Sequence, residues 1–158
     1  MPITSIVSGG QTGADRAALD VAVTLGLPYG GWCPPGGWAE DLPDPPGLLA
    51  RYPHLRPTPP GPASTRTRWN VRDSDATLVL VLTSTAGSPG TRLTVELAAA
   101  MAKPHLVVAA LDDRAVASWL ASLTGVSRLN VAGPRESEEP GLYDAAYRTL
   151  STVLMATG

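Results

Sequence analysis

Short apolar runs alternate along this chain with stretches whose apolar residues recur at helical spacing. Thr4–Ser8 (TSIVS) predicts a short strand that stops at Gly9-Gly10. In Gly13–Leu25, the positions Ala17, Leu19, Val21, Ala22, Val23 and Leu25 predict a largely buried helix, closed by Gly26. Pro28–Trp32 predicts a second short strand. Ala76–Leu82 (ATLVLVL) is continuously apolar and rich in β-branched residues, the pattern of a central strand buried on both faces. Thr91–Ala102 predicts a helix closed by Lys103-Pro104, and His105–Ala110 another buried strand. Asp112–Leu123 predicts a helix capped by Asp112 or Asp113. Arg128–Val131 is a last strand, and Pro140 suits the first turn of a helix over Gly141–Ala156. Strands alternating with helices imply parallel strands, crossover helices and a three-layer α/β sandwich.

Pro34–Thr65 breaks this rhythm. Ten of the 16 prolines fall here, and no regular element fits. Trp38, Tyr52 and Leu48-Leu49 argue against disorder. The segment reads as an ordered, irregular flap, with a mobile portion around 57–63 and a functional role.

A length of 158 residues suits one domain, 1–158, with a substantial core. Phe is absent, so that core is built from Leu, Val and Ala. Twelve basic against 14 acidic residues give a net charge of −2. That balance excludes a nucleic-acid binder driven by phosphate neutralisation but leaves room for one local anion site. The basic residues are arginines except Lys103, and arginine suits bidentate phosphate binding. The single Cys33 excludes an internal disulfide or a cysteine-cluster zinc site and fits a reducing, cytoplasmic setting. The N-terminus lacks the features of a signal peptide, and no apolar run reaches the ~20 residues of a membrane-spanning helix.

Ligands of open parallel sheets bind beyond the carboxyl ends of the strands. After the first strand comes Ser8-Gly9-Gly10-Gln11-Thr12-Gly13-Ala14-Asp15-Arg16. Glycines admit a ligand to the backbone, and a helix start offers free N–H groups. The amides of 9–13, with Thr12 and Arg16, could hold a phosphate. The same residues could equally form a tight turn with Asp15 as first-turn dipole partner. After the central strand comes a second such loop, Thr83–Thr91, whose Ser84, Gly90 and Thr91 could form the opposite wall. Arg135 follows the last strand and could reach the rim or pair with Glu136. Arg66 and Asn70 lie one turn apart if their segment is helical, so they could face one ligand. Cys33 reads as a small buried hydrophobe, and His105 as structural. No nucleophile–His–Asp arrangement is legible, and Glu40-Asp41 is the one carboxylate pair that stands out. A catalytic residue is not assigned, nor a metal ligand.

Five ordered pieces carry a further signal: SGGQTGAD (8–15), GGWCP (30–34), AED (39–41), NVRDSD (70–75) and NVAGPRES (130–137). Together they resemble the putative molybdenum carrier family, related to molybdenum cofactor carrier proteins, over nearly the whole chain. The resemblance implies a Rossmann-like fold of the lysine-decarboxylase-like superfamily and a homo-oligomer, a tetramer. It implies a cytosolic carrier of the molybdenum cofactor (molybdopterin), a pyranopterin with a terminal phosphate, in exchange with molybdoenzymes or cofactor-synthesis enzymes. In such a carrier the phosphate or oxyanion would sit on 9–13 and on Gly90-Thr91. Thr12, Ser84 and Thr91 would add hydroxyls, and Arg16 or Arg66 charge. Asn70 and Asp75 would orient the ring, and the metal would arrive with its ligand. The chain departs from the family where basic residues usually follow Cys-Pro, since Pro35, Gly36, Gly37 and Trp38 stand there.

The same superfamily holds nucleotide phosphoribohydrolases, whose loop reads P-G-G-x-G-T-x-x-E. The equivalent stretch is 87–94, and Thr94 stands in the place of the catalytic glutamate. Glu96 is about 200° further around a helix and would point away. Threonine cannot serve as the acid or base, so the sequence favours binding over N-glycoside hydrolysis. Hydrolysis of a nucleoside monophosphate, or a nucleotide-binding sensor, is the alternative.

Overall fold

The computed structural model describes residues 3–82 and 88–157, with backbone only at 156 and 157. In chain order the elements are β1 (Ser5–Val7), α1 (Ala14–Leu25), β2 (Tyr29–Gly30), β3 (Trp32–Cys33), α2 (Leu48–Arg51), β4 (Arg56–Pro57) and α3 (Ser64–Arg72). Then come β5 (Ala76–Val81), α4 (Pro89–Ala100), β6 (His105–Ala109), α5 (Asp113–Ser122), β7 (Arg128–Ala132) and α6 (Leu142–Thr157).

Five strands form one parallel sheet in the order β2-β1-β7-β5-β6. The last strand therefore occupies the centre, with Val7 opposite Asn130 on one side and Val79 opposite Ala132 on the other. The chain steps outward from β1 to β2 and outward the other way from β5 to β6, so the direction of winding reverses across β7. Ile6, Leu78, Leu80, Leu129 and Val131 pack into one core with the apolar faces of α1, α5 and α6. Alternation along each strand sends Thr77, Val79, Val81 and Asn130 to the opposite face. There α3 and α4 pack on each other. This is an α/β, Rossmann-like three-layer arrangement, as the alternation of apolar runs predicts.

Several local expectations change. The predicted strand Pro28–Trp32 is two strands, β2 in the main sheet and β3 paired with β4 in a separate two-stranded sheet. β6 is half-buried rather than buried, because it is an edge strand. The flap contains regular structure after all: a 3-10 turn at Pro35–Gly37, the single helical turn α2, and β4. Leu48, Tyr52, Leu55, Cys33 and Ala39 pack on the outward side of α1 at Leu19, forming a second small core. The stretch expected to be mobile starts in β4, and buried Thr58 donates its N–H to the Cys33 carbonyl at 2.9 Å.

Two caps agree with expectation. Gly26 closes α1 in the left-handed region at φ 71, and Asp112 caps α5 by accepting from the Ala115 N–H at 3.2 Å. The only lysine, Lys103, does more than close α4. Its ammonium donates to the carbonyls of Val71, Arg72 and Ser74 at 2.5–3.1 Å, satisfying the C-terminal end of α3. No helix among the described residues is long and apolar enough to cross a membrane.

Candidate functional site

A cleft of about 290 Å3 opens at the carboxyl ends of β1, β7 and β5, where the winding reverses. Parallel sheets place their ligands at such a point. Its walls come from Gly9 after β1, from 130–133 at the end of β7, and from the start of α4. Arg66, Thr67 and Asn70 of α3 close the side.

Arg66 and Asn70 share one wall because their segment is helical. Asn70 is already committed: its side chain accepts from the Trp32 N–H at 2.7 Å and donates to the Trp32 carbonyl at 2.9 Å, tying α3 to β3. Arg66 is half-buried and makes no hydrogen bond or ion pair among the described residues. Gly9 lets it in, since a Cβ there would meet the guanidinium at 2.7 Å and the Asp15 carboxylate at 3.1 Å. Its charge acts on the neighbouring Asp15 carboxyl, and its guanidinium N–H groups keep their hydrogen-bonding capacity among the described residues.

At α4, Ser88 caps the helix by accepting from the Thr91 N–H at 3.1 Å, and its own hydroxyl bonds Thr91 at 2.7 Å. The expected Thr91 amide is therefore taken. The Gly90 N–H finds no acceptor among the described residues, and Pro89 has none to offer. Thr94 lines the cleft, with its hydroxyl turned back on the Gly90 carbonyl at 2.9 Å. Glu96 is exposed and does not line the cleft.

The loop after β1 differs from expectation. Ser8 is fully buried, accepts from the Gly10 N–H at 3.1 Å and donates to the Asp15 carbonyl at 2.8 Å. The Gln11 N–H donates to the Asp15 carboxylate at 3.3 Å. Two of the amides read as ligand donors are thus spent inside the chain, because Ser8 and Asp15 stand where an anion would. Gly10 packs on Leu48 and Leu55 of the flap. Thr12 bonds Glu40 and accepts from the Glu136 N–H, and Gly13 sits against the Pro134 carbonyl.

Arg16 points away from the cleft. It makes a bidentate pair with Asp41 at 2.7 and 2.8 Å and donates to the Gly10 carbonyl at 3.1 Å. Its partner in the flap, 25 residues away, could not be read from spacing. The Arg16 hydrogen bonds hold the Asp41 carboxyl below the usual range, and the Thr12 hydroxyl does so for Glu40. Asp75 lies at the opposite end of the sheet. It accepts from the Arg128 and Ser127 N–H groups, which hold it in its charged form. It cannot orient a ring in the cleft. Ser84 lies outside the described residues. The expected set therefore divides. Gly9, Gln11, Arg66, Asn70, Gly90, Thr91 and Thr94 line the cleft, whereas Ser8, Gly10, Thr12, Gly13, Arg16 and Asp75 do not.

The least expected member is Asp15. It is buried in the cleft wall, and burial raises its carboxyl to about 6 against the opposing pull of Arg66, the Gln11 N–H and Arg16. Its position in the first turn of α1 gave the bland reading of a dipole partner, and only the approach of α3 makes it part of the site. Asn130, a polar residue inside an apolar strand, also lines the cleft and donates to Thr77 at 3.3 Å. That interruption of the apolar pattern was a usable signal. Arg135 reaches the rim, and its carboxylate neighbours are Glu40 at 3.7 Å and Glu138 at 3.5 Å rather than Glu136. Cys33 lies in the flap core, where burial pushes its thiol up to about 11. Among the described residues, His, Cys, Asp and Glu gather into no group of three suited to a metal ion.

Comparison with known proteins gives the family. The profile of the circularly permutated YpsA SLOG family matches residues 6–154. The chain belongs to that family. A crystal structure of a protein of this kind from Syntrophus aciditrophicus SB, described as a Putative molybdenum carrier protein, superposes with a TM-score of 0.82 at 38% sequence identity. The similarity covers 97% of this chain and 95% of that one. No curated protein matches. The central position of the last strand in this SLOG-family chain accords with a permuted element order.

Proposed function

We propose that this SLOG-family chain binds and carries the molybdenum cofactor, or a closely related phosphorylated heterocycle, as cargo. The observation that carries the reading is Arg66, a cleft-lining guanidinium without a bonded carboxylate among the described residues, in the same cleft as Gly90, whose N–H is open at the start of α4. A phosphate between them would receive charge from the one and a main-chain donor from the other. The similarity to a protein described as a molybdenum carrier supports the same cargo.

The residues fit such a group. Gly9 leaves the cleft clear beside Arg66, where any side chain would collide with the guanidinium. Oxygen and nitrogen donors line the wall, and the thiol of Cys33 is buried elsewhere, so the metal would keep its own ligands. The carrier would hold and shield the cargo without covalent chemistry. Asp15 sets the conditions: an anion beside it favours its protonated form, so binding takes up a proton near pH 6.

The test is purification from a molybdenum-sufficient host, with elemental analysis for molybdenum and fluorescence of the oxidised pterin. The expected result is both in equal amounts, lost together in Arg66→Gln. Absence of both, with no uptake of cofactor released from a molybdoenzyme, would overturn the reading.

Asp15 favours a second reading. A buried carboxyl that titrates near 6 in a cleft has the properties of a general acid. It could protonate the base of a nucleoside monophosphate as the N-glycosidic bond breaks, while water forms the new bond to the sugar carbon and returns a proton to the Asp15 carboxylate, giving free base and ribose 5-phosphate. Incubation with AMP, GMP and CMP followed by a sugar assay decides this. Release abolished by Asp15→Asn would support hydrolysis.

A further inference from the structure

Beyond the cleft, a second chamber of about 330 Å3 opens under the flap. Its walls are mostly apolar, from Pro34, Pro35, Trp38, Pro62 and Ala63. It shares Gln11, Arg66 and Arg135 with the phosphate cleft, so the two spaces adjoin at those three side chains. Gln11 is 3% exposed. Its amide orientation is fixed, because Nε2 donates to the Trp38 carbonyl at 2.9 Å. That leaves Oε1 as an acceptor, and it is the one buried side-chain polar atom without a partner among the described residues. A buried acceptor left without a partner gives up its bond to water and gets nothing in return. Sites retain such a cost when a ligand repays it.

We propose that the chamber under the flap takes the planar ring of a nitrogen heterocycle whose phosphate lies in the adjoining cleft, and that Gln11 Oε1 accepts a hydrogen bond from a ring N–H or amino group of that ring. The inference rests on the phosphate reading above and adds the identity of the second half of the ligand. A pterin or a guanine has such a donor, whereas a sugar phosphate has no planar ring to fill the chamber. Trp38 and the prolines supply apolar walls, and a single well-placed acceptor supplies selectivity, the usual division of labour in a ligand pocket. The flap is then the wall that reads the ring, which accounts for a proline-rich segment held in order by its own small core.

Titration calorimetry with four probes tests this: a pterin methyl phosphate, GMP, purine riboside 5′-phosphate and ribose 5-phosphate. Purine riboside keeps the shape of a purine but has no exchangeable ring hydrogen. The expected order is that the pterin phosphate or GMP, or both, bind roughly tenfold tighter than purine riboside phosphate, and that ribose 5-phosphate is weakest. In Gln11→Met, which keeps the side-chain length without an acceptor, that tenfold preference disappears, and the donor-bearing rings and purine riboside phosphate bind alike. If the wild-type protein bound purine riboside phosphate as well as the donor-bearing rings, the Gln11 contact would be overturned with no variant needed. If ribose 5-phosphate matched all three, the chamber would be overturned and the phosphate site would stand. If no probe bound, the phosphate reading itself would fall, and the chamber with it.

Discussion

The two glycine-rich strand-to-helix junctions look alike in sequence and behave oppositely in the fold. At the start of α1, Ser8 takes one free amide and Asp15 another, and Gly13 is wedged against Pro134. At the start of α4, Ser88 takes one amide, and among the described residues the Gly90 N–H stays open and the Arg66 guanidinium that lines the same cleft has no bonded acceptor. The first junction carries its own anion and joins the flap to the sheet. The second leaves a main-chain donor without an acceptor among the described residues. A glycine loop before a helix is thus an offer of donors, and side chains of the same chain decide whether the offer is already taken.

The largest effect separates the glycines. Gly13 lies at φ 85, and a Cβ there would come within 2.5 Å of the Pro134 carbonyl. Gly13→Ala is expected to cost about 3 kcal/mol or more, read as a lower urea midpoint. An unchanged midpoint would show that the first junction is not wedged.

Asp15 comes next. Its carboxyl is raised from 3.8 to about 6, so the penalty of holding it charged inside the protein is absent below pH 4 and fully present above pH 6. Stability attributable to this group therefore falls as pH rises through that window, by an amount of the order of 3 kcal/mol. Glu40, Asp41 and Asp75 are shifted down and act in the opposite sense. The difference between the wild type and Asp15→Asn, measured by urea unfolding at pH 4 and pH 7, isolates the Asp15 share. The variant should gain relative stability at pH 7, and equal differences at both pH values would count against a buried charge.

Arg66 and Arg16 then divide binding from stability. Arg66→Gln should weaken phosphate-ester affinity roughly tenfold to a hundredfold with little change in unfolding. Arg16→Gln should lower the unfolding midpoint and leave affinity intact, because its partners are Asp41 and Gly10. Equal losses of affinity in both would mean that the two junctions share the ligand.

The smallest effects lie at the second junction. A Cβ added at Gly90 would meet nothing within 4 Å, and Gly90→Ala should stabilise by about 0.5–1 kcal/mol. Ser88→Ala should cost about 1 kcal/mol through the lost cap. Both are read from urea midpoints, and a large loss in Gly90→Ala would show that this junction is as constrained as the first.

The contrast also explains what the sequence disclosed. β5, α4 and α5 were legible because continuous apolar runs, helical spacing and an aspartate cap are local signals. The Arg66 and Asn70 pair was legible for the same reason, since one helical turn fixes their shared side. Arg16 lies outside the cleft because its partner Asp41 arrives through the fold of the flap, and no local pattern announces that approach. Asp75 was misassigned because a residue just before a strand lies at the amino end of the sheet, away from the carboxyl ends where ligands gather. Asp15 looked like an ordinary first-turn acid until α3 enclosed it beside Arg66. The site is thus readable where one element presents its own residues, and hidden where distant segments complete it.

The single ammonium tethering the tail of α3 gives this protein an unusual handle. Because Lys103 is the chain's sole ε-amine, an amine-selective reagent has just one side chain to modify. Acylation there would release three carbonyls at once and loosen the helix that carries Arg66 and Asn70. The labelling rate of one atom therefore reports how firmly one wall of the cavity is latched.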